Sequence, residues 1–190
     1  MLVKENNNLF WQLLEPLHPK AESFCRRLAA NFEDGNDLYQ EAVLQAMRKF
    51  AGLRDTAAFR SWLYRIIINT FKSRRRQDKK QIPISEEVAE SYAGPDPMDE
   101  YHAKMLLDYA MAILSPDDKA LVTLYELEGW SISEIAKMEN KPEGTIKSRL
   151  FRSRRRMRDA IAKNLPRSKK NNEESEYELP RSETGNIQEA

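Results

Sequence analysis

One cysteine, two histidines and six glycines are spread over 190 residues, and each scarcity removes a class of protein. Cys25 alone cannot close an internal disulfide, and one thiol with two imidazoles does not build a metal cluster. Apolar runs are short: "IIIN" and "ALVTLYELEGW" fall far below the about 20 uninterrupted apolar residues that cross a bilayer. The opening "MLVKENNNLFWQLLEPLHPK" lacks the charged, apolar, then small-residue order of a cleaved leader. The expectation is a soluble cytoplasmic protein with no membrane insertion, metal or cofactor. Acids that could serve catalysis reduce to Asp34, Asp37 and Glu41, crowded at one helix start without a histidine partner. No catalytic residue is assigned.

Charge is present in quantity and segregated. The net charge of +1 hides this. Residues 60–80 carry eight basic side chains against Asp78, a net +7, and residues 141–158 carry eight against Glu143, again +7. Residues 85–100 hold six acids and no base, and residues 173–190 six glutamates and one arginine. Two basic blocks predict two separate contacts with an anionic partner.

Sparse glycine and long stretches of 3.6-residue periodicity predict an all-α chain. Its length allows one ordinary domain or two small ones, and the pattern favours two. Pro16 and Pro19 bend or restart the first helix. "EDGND" reads as a turn ahead of a helix "DLYQEAVLQAMRKF", and "AGLRDTAA" as a loop before a helix beginning at Phe59. The expected divisions are a first helical domain over residues 1–82, a flexible acidic linker over 83–103, a second helical domain over 104–163 and a disordered acidic tail over 164–190. In the second domain Ser115 with Pro116, and Ser131 with Glu134, are cap signals, and Gly129 is a stop.

"SISEIAKMENKPEGTIKSRLFRSRRRMRDAI" has helix-turn-helix spacing, with the first helix ending near Met138 and the second opening at Pro142. On the second helix Ile146, Leu150, Met157 and Ile161 form an inward stripe. Lys147, Phe151, Arg154, Arg155 and Arg158 lie on another face. From Lys147 to Arg158 there are seven bases and no acid, whereas solvated helices intersperse signs. This predicts DNA binding.

In "FRSWLYRIIINTFKSRRR" a helical wheel puts Phe59, Leu63, Ile66, Ile67 and Thr70 on an apolar face, and Ser61, Arg65, Asn69 and Lys72 opposite. Trp62 and Tyr64, at the margins, are placed to stack on unpaired bases or, for Trp62, to pack into the core. Asn69 is either a base-edge contact or an ordinary surface amide. A linker of residues 83–103, at roughly 3.3–3.6 Å per residue, spans about 70 Å, enough for one chain to touch two distant sites on one duplex.

Taken together, "DLYQEAVLQAMRKF", "FRSWLYRIIINTFKSRRR" and "LSPDDKALVTLYELEGWSISEIAKMENKPEGTIKSRLFRSRRR" closely resemble bacterial sigma factors of the sigma-70 class, in the compact extracytoplasmic-function subgroup. The resemblance covers about residues 8–162. It implies a non-catalytic initiation subunit that binds core RNA polymerase through its beta and beta-prime subunits and directs it to promoter DNA, held in check in many relatives by an anti-sigma factor. By that resemblance Asp37, Gln40 and Glu41 dock on the polymerase clamp. Arg60, Trp62, Arg65, Asn69 and Lys72 open and hold the −10 element. Thr145, Lys147, Ser148, Arg149, Phe151, Arg152, Arg154 and Arg155 form the −35 reader, with Arg149 and Arg154 nearer phosphates or the core. Lys147 stands where many relatives carry arginine, which replaces a bidentate guanine contact by a point charge. The competing class is a stand-alone DNA-binding regulator with an N-terminal dimerisation domain; such a domain has no need of a +7 patch over residues 60–80.

Overall fold

In the computed structural model, residues 2–29, 31–81 and 100–164 are described, and all their regular structure is helical. Nearly all of the expected linker, up to residue 99, and the tail from residue 165 lie outside the described residues. Helix α1 (Leu2–Leu14) gives way to a 3-10 turn at Glu15–Leu17 that contains Pro16, and α2 (His18–Leu28) restarts with Pro19 in its first turn. Proline lacks the N–H that an interior position must donate, so the chain changes helix there.

The turn expected at "EDGND" is not a turn. Helix α3 (Phe32–Lys49) runs straight through it. Asn31 is extended, at φ −145° and ψ 175°, and its side chain accepts the Asp34 N–H. Glu33 and Asp34 then lie in the first turn, where the helix dipole favours negative charge. Gly35 is a packing requirement rather than a break. A Cβ there would lie 2.6 Å from Arg26 Cα and 2.8 Å from its Cγ. Helices α2 and α3 approach that closely because nothing projects at this position. Gly35→Ala is therefore expected to lower stability by about 1–3 kcal/mol, since a backbone clash outweighs the better helix propensity of alanine. A melting temperature unchanged or raised would contradict it.

Two 3-10 turns, Phe50–Gly52 and Thr56–Ala58, lead into α4 (Phe59–Gln81). Phe59, Leu63, Ile66, Ile67 and Thr70 are buried as the wheel requires. Thr70 hides its hydroxyl by donating to the Ile66 carbonyl. Phe10, Phe50 and Phe59 meet edge-on, with ring centroids 5.3–5.9 Å apart, and close the end of the first bundle.

The second half comprises α5 (Glu100–Ala112), α6 (Pro116–Val122), a π turn (Thr123–Leu127), α7 (Ile132–Glu139) and α8 (Glu143–Asn164). Helix α5 starts inside the stretch expected as linker. Both cap signals are realised: Ser115 accepts the Asp118 N–H, and Ser131 with Glu134 makes a reciprocal capping box. Gly129, at φ +68°, ends the segment as anticipated. Asn140 occupies the left-handed region at φ 53° between α7 and α8, a conformation asparagine tolerates better than bulkier residues. Helices α5, α6 and α7 pack on α8, burying Ile135, Ile146 and Leu150. The two halves also pack on one another, with α6 and α7 against α4 and the π turn against α2.

Candidate nucleic-acid interface

Helix α8 presents two faces. Ile146 and Leu150 are buried, while Met157 and Ile161 are half-buried, so the stripe read from spacing does face inward. Ser148, Phe151, Arg152 and Arg155 recur at i, i+3, i+4 and i+7 on the outward side, and all four are exposed. Phe151 is 69% exposed, an unusual setting for a phenylalanine flanked by arginines. Lys147 is exposed beside them and Thr145 half-buried below them. The Ser148 hydroxyl donates to the Thr145 carbonyl of its own helix.

Arg149 points the other way. Its side chain is 12% exposed, with Nε 3.3 Å from Asp118 Oδ1 and Nη1 2.6 Å from Glu139 Oε2. It ties α8 to α6 and α7, holding the recognition helix at its angle. Of the two settings the resemblance allowed, phosphate or core, the geometry gives the core. Arg154 is exposed but engaged, its Nε 2.7 Å from Glu126 Oε1 and its guanidinium over the Tyr125 ring. Arg152 has no acidic partner among the described residues, and Arg155 only Asp159 at 3.9 Å.

On the polar side of α4, Arg65 and Asn69 are exposed, while Arg60 and Lys72 are paired with acids of the second half. Lys72 Nζ lies 2.7 Å from Asp117 Oδ1, and Arg60 Nη1 lies 3.4 Å from Glu134 Oε1. Arg65, Asn69 and Lys72 line a cleft of about 200 Å³ closed on its other side by Glu139, Asn140 and Lys141. Trp62 lies apart from this cleft, half-buried with its ring centroid 5.7 Å from Phe59 and 6.3 Å from Phe50. Tyr64 needs a correction. It was expected at the margin, ready to stack on bases, but it is 1% exposed between Phe24 and Trp130. Residue 64 lies on the flank of α4 that the second half covers, which no periodicity within α4 can disclose. Burial, then the Glu128 carboxylate that accepts its hydroxyl, pushes the phenol well above its ordinary range.

On α3, Asp37 and Gln40 are exposed, but Glu41 is half-buried and its carboxylate is occupied. Arg74 Nε reaches one oxygen at 2.6 Å and Gln45 Nε2 the other at 3.1 Å. Two apolar residues join Gln40 here that residue chemistry alone did not single out. Trp11 and Leu44, 47% and 54% exposed, border a groove of about 710 Å³ with Val43, Tyr39 and His18. The signal was present: Asp37, Gln40, Glu41 and Leu44 stand at i, i+3, i+4 and i+7, so a leucine shares the polar face.

Residues 13–81 match the family described as Sigma-70 region 2, and residues 104–157 the one described as Sigma-70, region 4. The chain is 31% identical over 148 residues to the ECF RNA polymerase sigma factor SigM of Mycobacterium tuberculosis, covering 78% of this chain and 74% of that one. To the RNA polymerase sigma-H factor of Pseudomonas aeruginosa it is 32% identical, covering 71% and 77%. Among solved structures it is similar to the sigma factor RpoE of Bartonella quintana, in complex there with the anti-sigma factor NepR. The TM-score is 0.62 at 25% identity, over 82% of this chain and 98% of that one. The fold is also that of CnrH in complex with the cytosolic domain of CnrY, at a TM-score of 0.59 and 17% identity. A two-part helical chain with these matches defines a class, the promoter-directing initiation factors, which are not enzymes. The protein belongs to the sigma-70 family, in its extracytoplasmic-function group.

Proposed function

We propose that this factor divides its work among three surfaces. The α3 face bearing Asp37, Gln40 and Leu44, with Trp11 beside it, docks on core RNA polymerase. Glu41 supports that face through Arg74. Trp62, Arg65, Asn69, Arg60 and Lys72 on α4 hold the opened −10 strand. Ser148, Phe151, Arg152 and Arg155, with Lys147 and Thr145, read the −35 duplex, and Arg154 adds charge near the backbone. Arg149 acts by holding α8 in place. The division into residues 1–82, a connecting segment and a domain from about residue 100 to 164 follows the same assignment. The likeness to RpoE supports an anti-sigma protein as a further partner, and the activity places the protein in the cytoplasm.

The observation that carries this is the outward stripe of α8, where an exposed phenylalanine sits beside Arg152, which has no acidic partner among the described residues, on a helix seated by its opposite face. A solvated charged helix does not expose an aromatic ring in that setting; a helix that enters a major groove uses it against a thymine methyl. The α3 assignment has its own test. Asp37→Arg combined with Gln40→Ala is expected to weaken binding to purified core polymerase by on the order of tenfold, as loss of a central interface contact does. Binding of the free protein to duplex DNA should stay as it was. An unchanged affinity for purified core polymerase would remove the assignment.

A further inference from the structure

Helix α8 carries seven cations from Lys147 to Arg158, and the fold does not leave them equivalent. Lys147 and Arg152 are exposed and meet no carboxylate among the described residues. Arg156 lies 3.5 Å from Asp118, and Arg155 and Arg158 each lie 3.9 Å from Asp159. Arg154 is held more closely than any of these. Its Nε is 2.7 Å and its Nη2 2.5 Å from Glu126 Oε1, and its Cζ lies 5.3 Å from the Tyr125 ring centroid. Both partners come from the π turn Thr123–Leu127, where each backbone hydrogen bond spans one residue more than in an α-helix. That wider turn brings an aromatic face and a carboxylate side by side onto one guanidinium of the recognition helix.

The contact does little for the fold. The Arg154 and Glu126 side chains are 54% and 38% exposed, and ion pairs so placed add little to stability. Arg149 already seats α8 through its opposite face. What the pair does change is a competition, because a DNA phosphate and the Glu126 carboxylate accept from the same N–H groups. We infer that Glu126, assisted by Tyr125, is a specificity-determining residue of the −35 reader: it withholds Arg154 from phosphates on DNA that lacks the promoter sequence. The inference rests on the assignment of α8 to the −35 duplex proposed above. Arg154 still adds long-range charge near the backbone, but a close phosphate pair must first displace Glu126. At a promoter the register of α8 is set by the base contacts of its outward stripe. On other DNA the helix settles in whichever register neutralises most phosphates, since that binding is electrostatic throughout. A released Arg154 therefore gains more on random sequence than at a promoter, and random sequence supplies most of the competing sites.

The test uses the full chain and two labelled duplexes about three helical turns long. One is of random sequence, and the other carries the −35 segment that the holoenzyme selects from a random promoter pool. Affinities are measured across a salt series. Glu126→Gln keeps the side-chain shape and removes the charge. It should tighten binding to the random duplex on the order of tenfold at low salt and steepen the logarithmic salt dependence by about 0.9, the increment for one further phosphate. The promoter duplex should gain less, so the promoter-to-random affinity ratio should fall about threefold or more. In an Arg154→Ala background the same substitution should change affinity by less than about twofold and leave the slope alone, which a double-mutant cycle reads directly. Thermal unfolding should not move. A full gain that persists without Arg154 is a general field effect and overturns the inference. So does an equal gain on both duplexes, or a loss of affinity, which would mean that Glu126 aims Arg154 at a phosphate. Arg152→Ala on the same duplexes reports on the α8 reading alone: an unchanged promoter affinity removes that reading and this inference with it.

Discussion

Arg149→Ala is expected to destabilise the second domain by about 2–3 kcal/mol, the cost of removing a partner from charged groups that are largely out of water. The figure stays below that for a fully buried pair because Glu139 retains Lys141, at 2.8 Å, and Asp118 retains Arg156, at 3.5 Å. Both carboxylates are 18% exposed, so water recovers part of the loss. Arg149→Lys should rescue only partly, since one ammonium cannot span two carboxylates as the guanidinium fork does. Promoter activity should fall in step with folded population as temperature rises. Chemical or thermal unfolding followed at α8 gives the measurement. A variant that melts like the wild type yet loses −35 binding would place Arg149 among the base readers instead.

The second large effect is the mirror case. Arg152→Ala should leave unfolding unchanged, because the side chain is exposed and engages no carboxylate among the described residues. It should lower transcription from a cognate promoter by about 5- to 150-fold, the range of about 1–3 kcal/mol for a lost bidentate base contact. Binding to core polymerase should persist. If instead the loss is uniform across promoter sequences and shrinks as salt is added, Arg152 contacts phosphate, not a base edge. Two arginines three residues apart on one helix thus have opposite phenotypes, stability for one and specificity for the other.

Much of this was legible in the chain. The helix-turn-helix spacing, the apolar faces of α4 and α8, the caps at Ser115 and Ser131 and the stop at Gly129 are local features. Their causes lie within a few residues of one another, in backbone hydrogen bonding and 3.6-residue periodicity. Gly35 was misread because a glycine between acids and an asparagine has the composition of a turn; only the approach of Arg26, whose Cα would lie 2.6 Å from a Cβ at this position, explains its place inside a helix. Tyr64 was misread for the same kind of reason. Its burial is imposed by Trp130, sixty-six positions further on, and the wheel of α4 contains no trace of that.

By itself, then, the order of residues determined that this is a two-part helical DNA-binding chain, which part carries the recognition helix, and which side of that helix is basic. Periodicity and charge settle these because they act through neighbours along the helix. The tertiary structure decided what each charge is for. Arg149 and Glu41 are used up internally, Arg152 meets no carboxylate among the described residues, and Arg60 and Lys72 of α4 are paired with carboxylates of the other half. Pairing depends on distances between segments far apart in the chain, and a cation looks the same in sequence whether it faces an acid or an open groove.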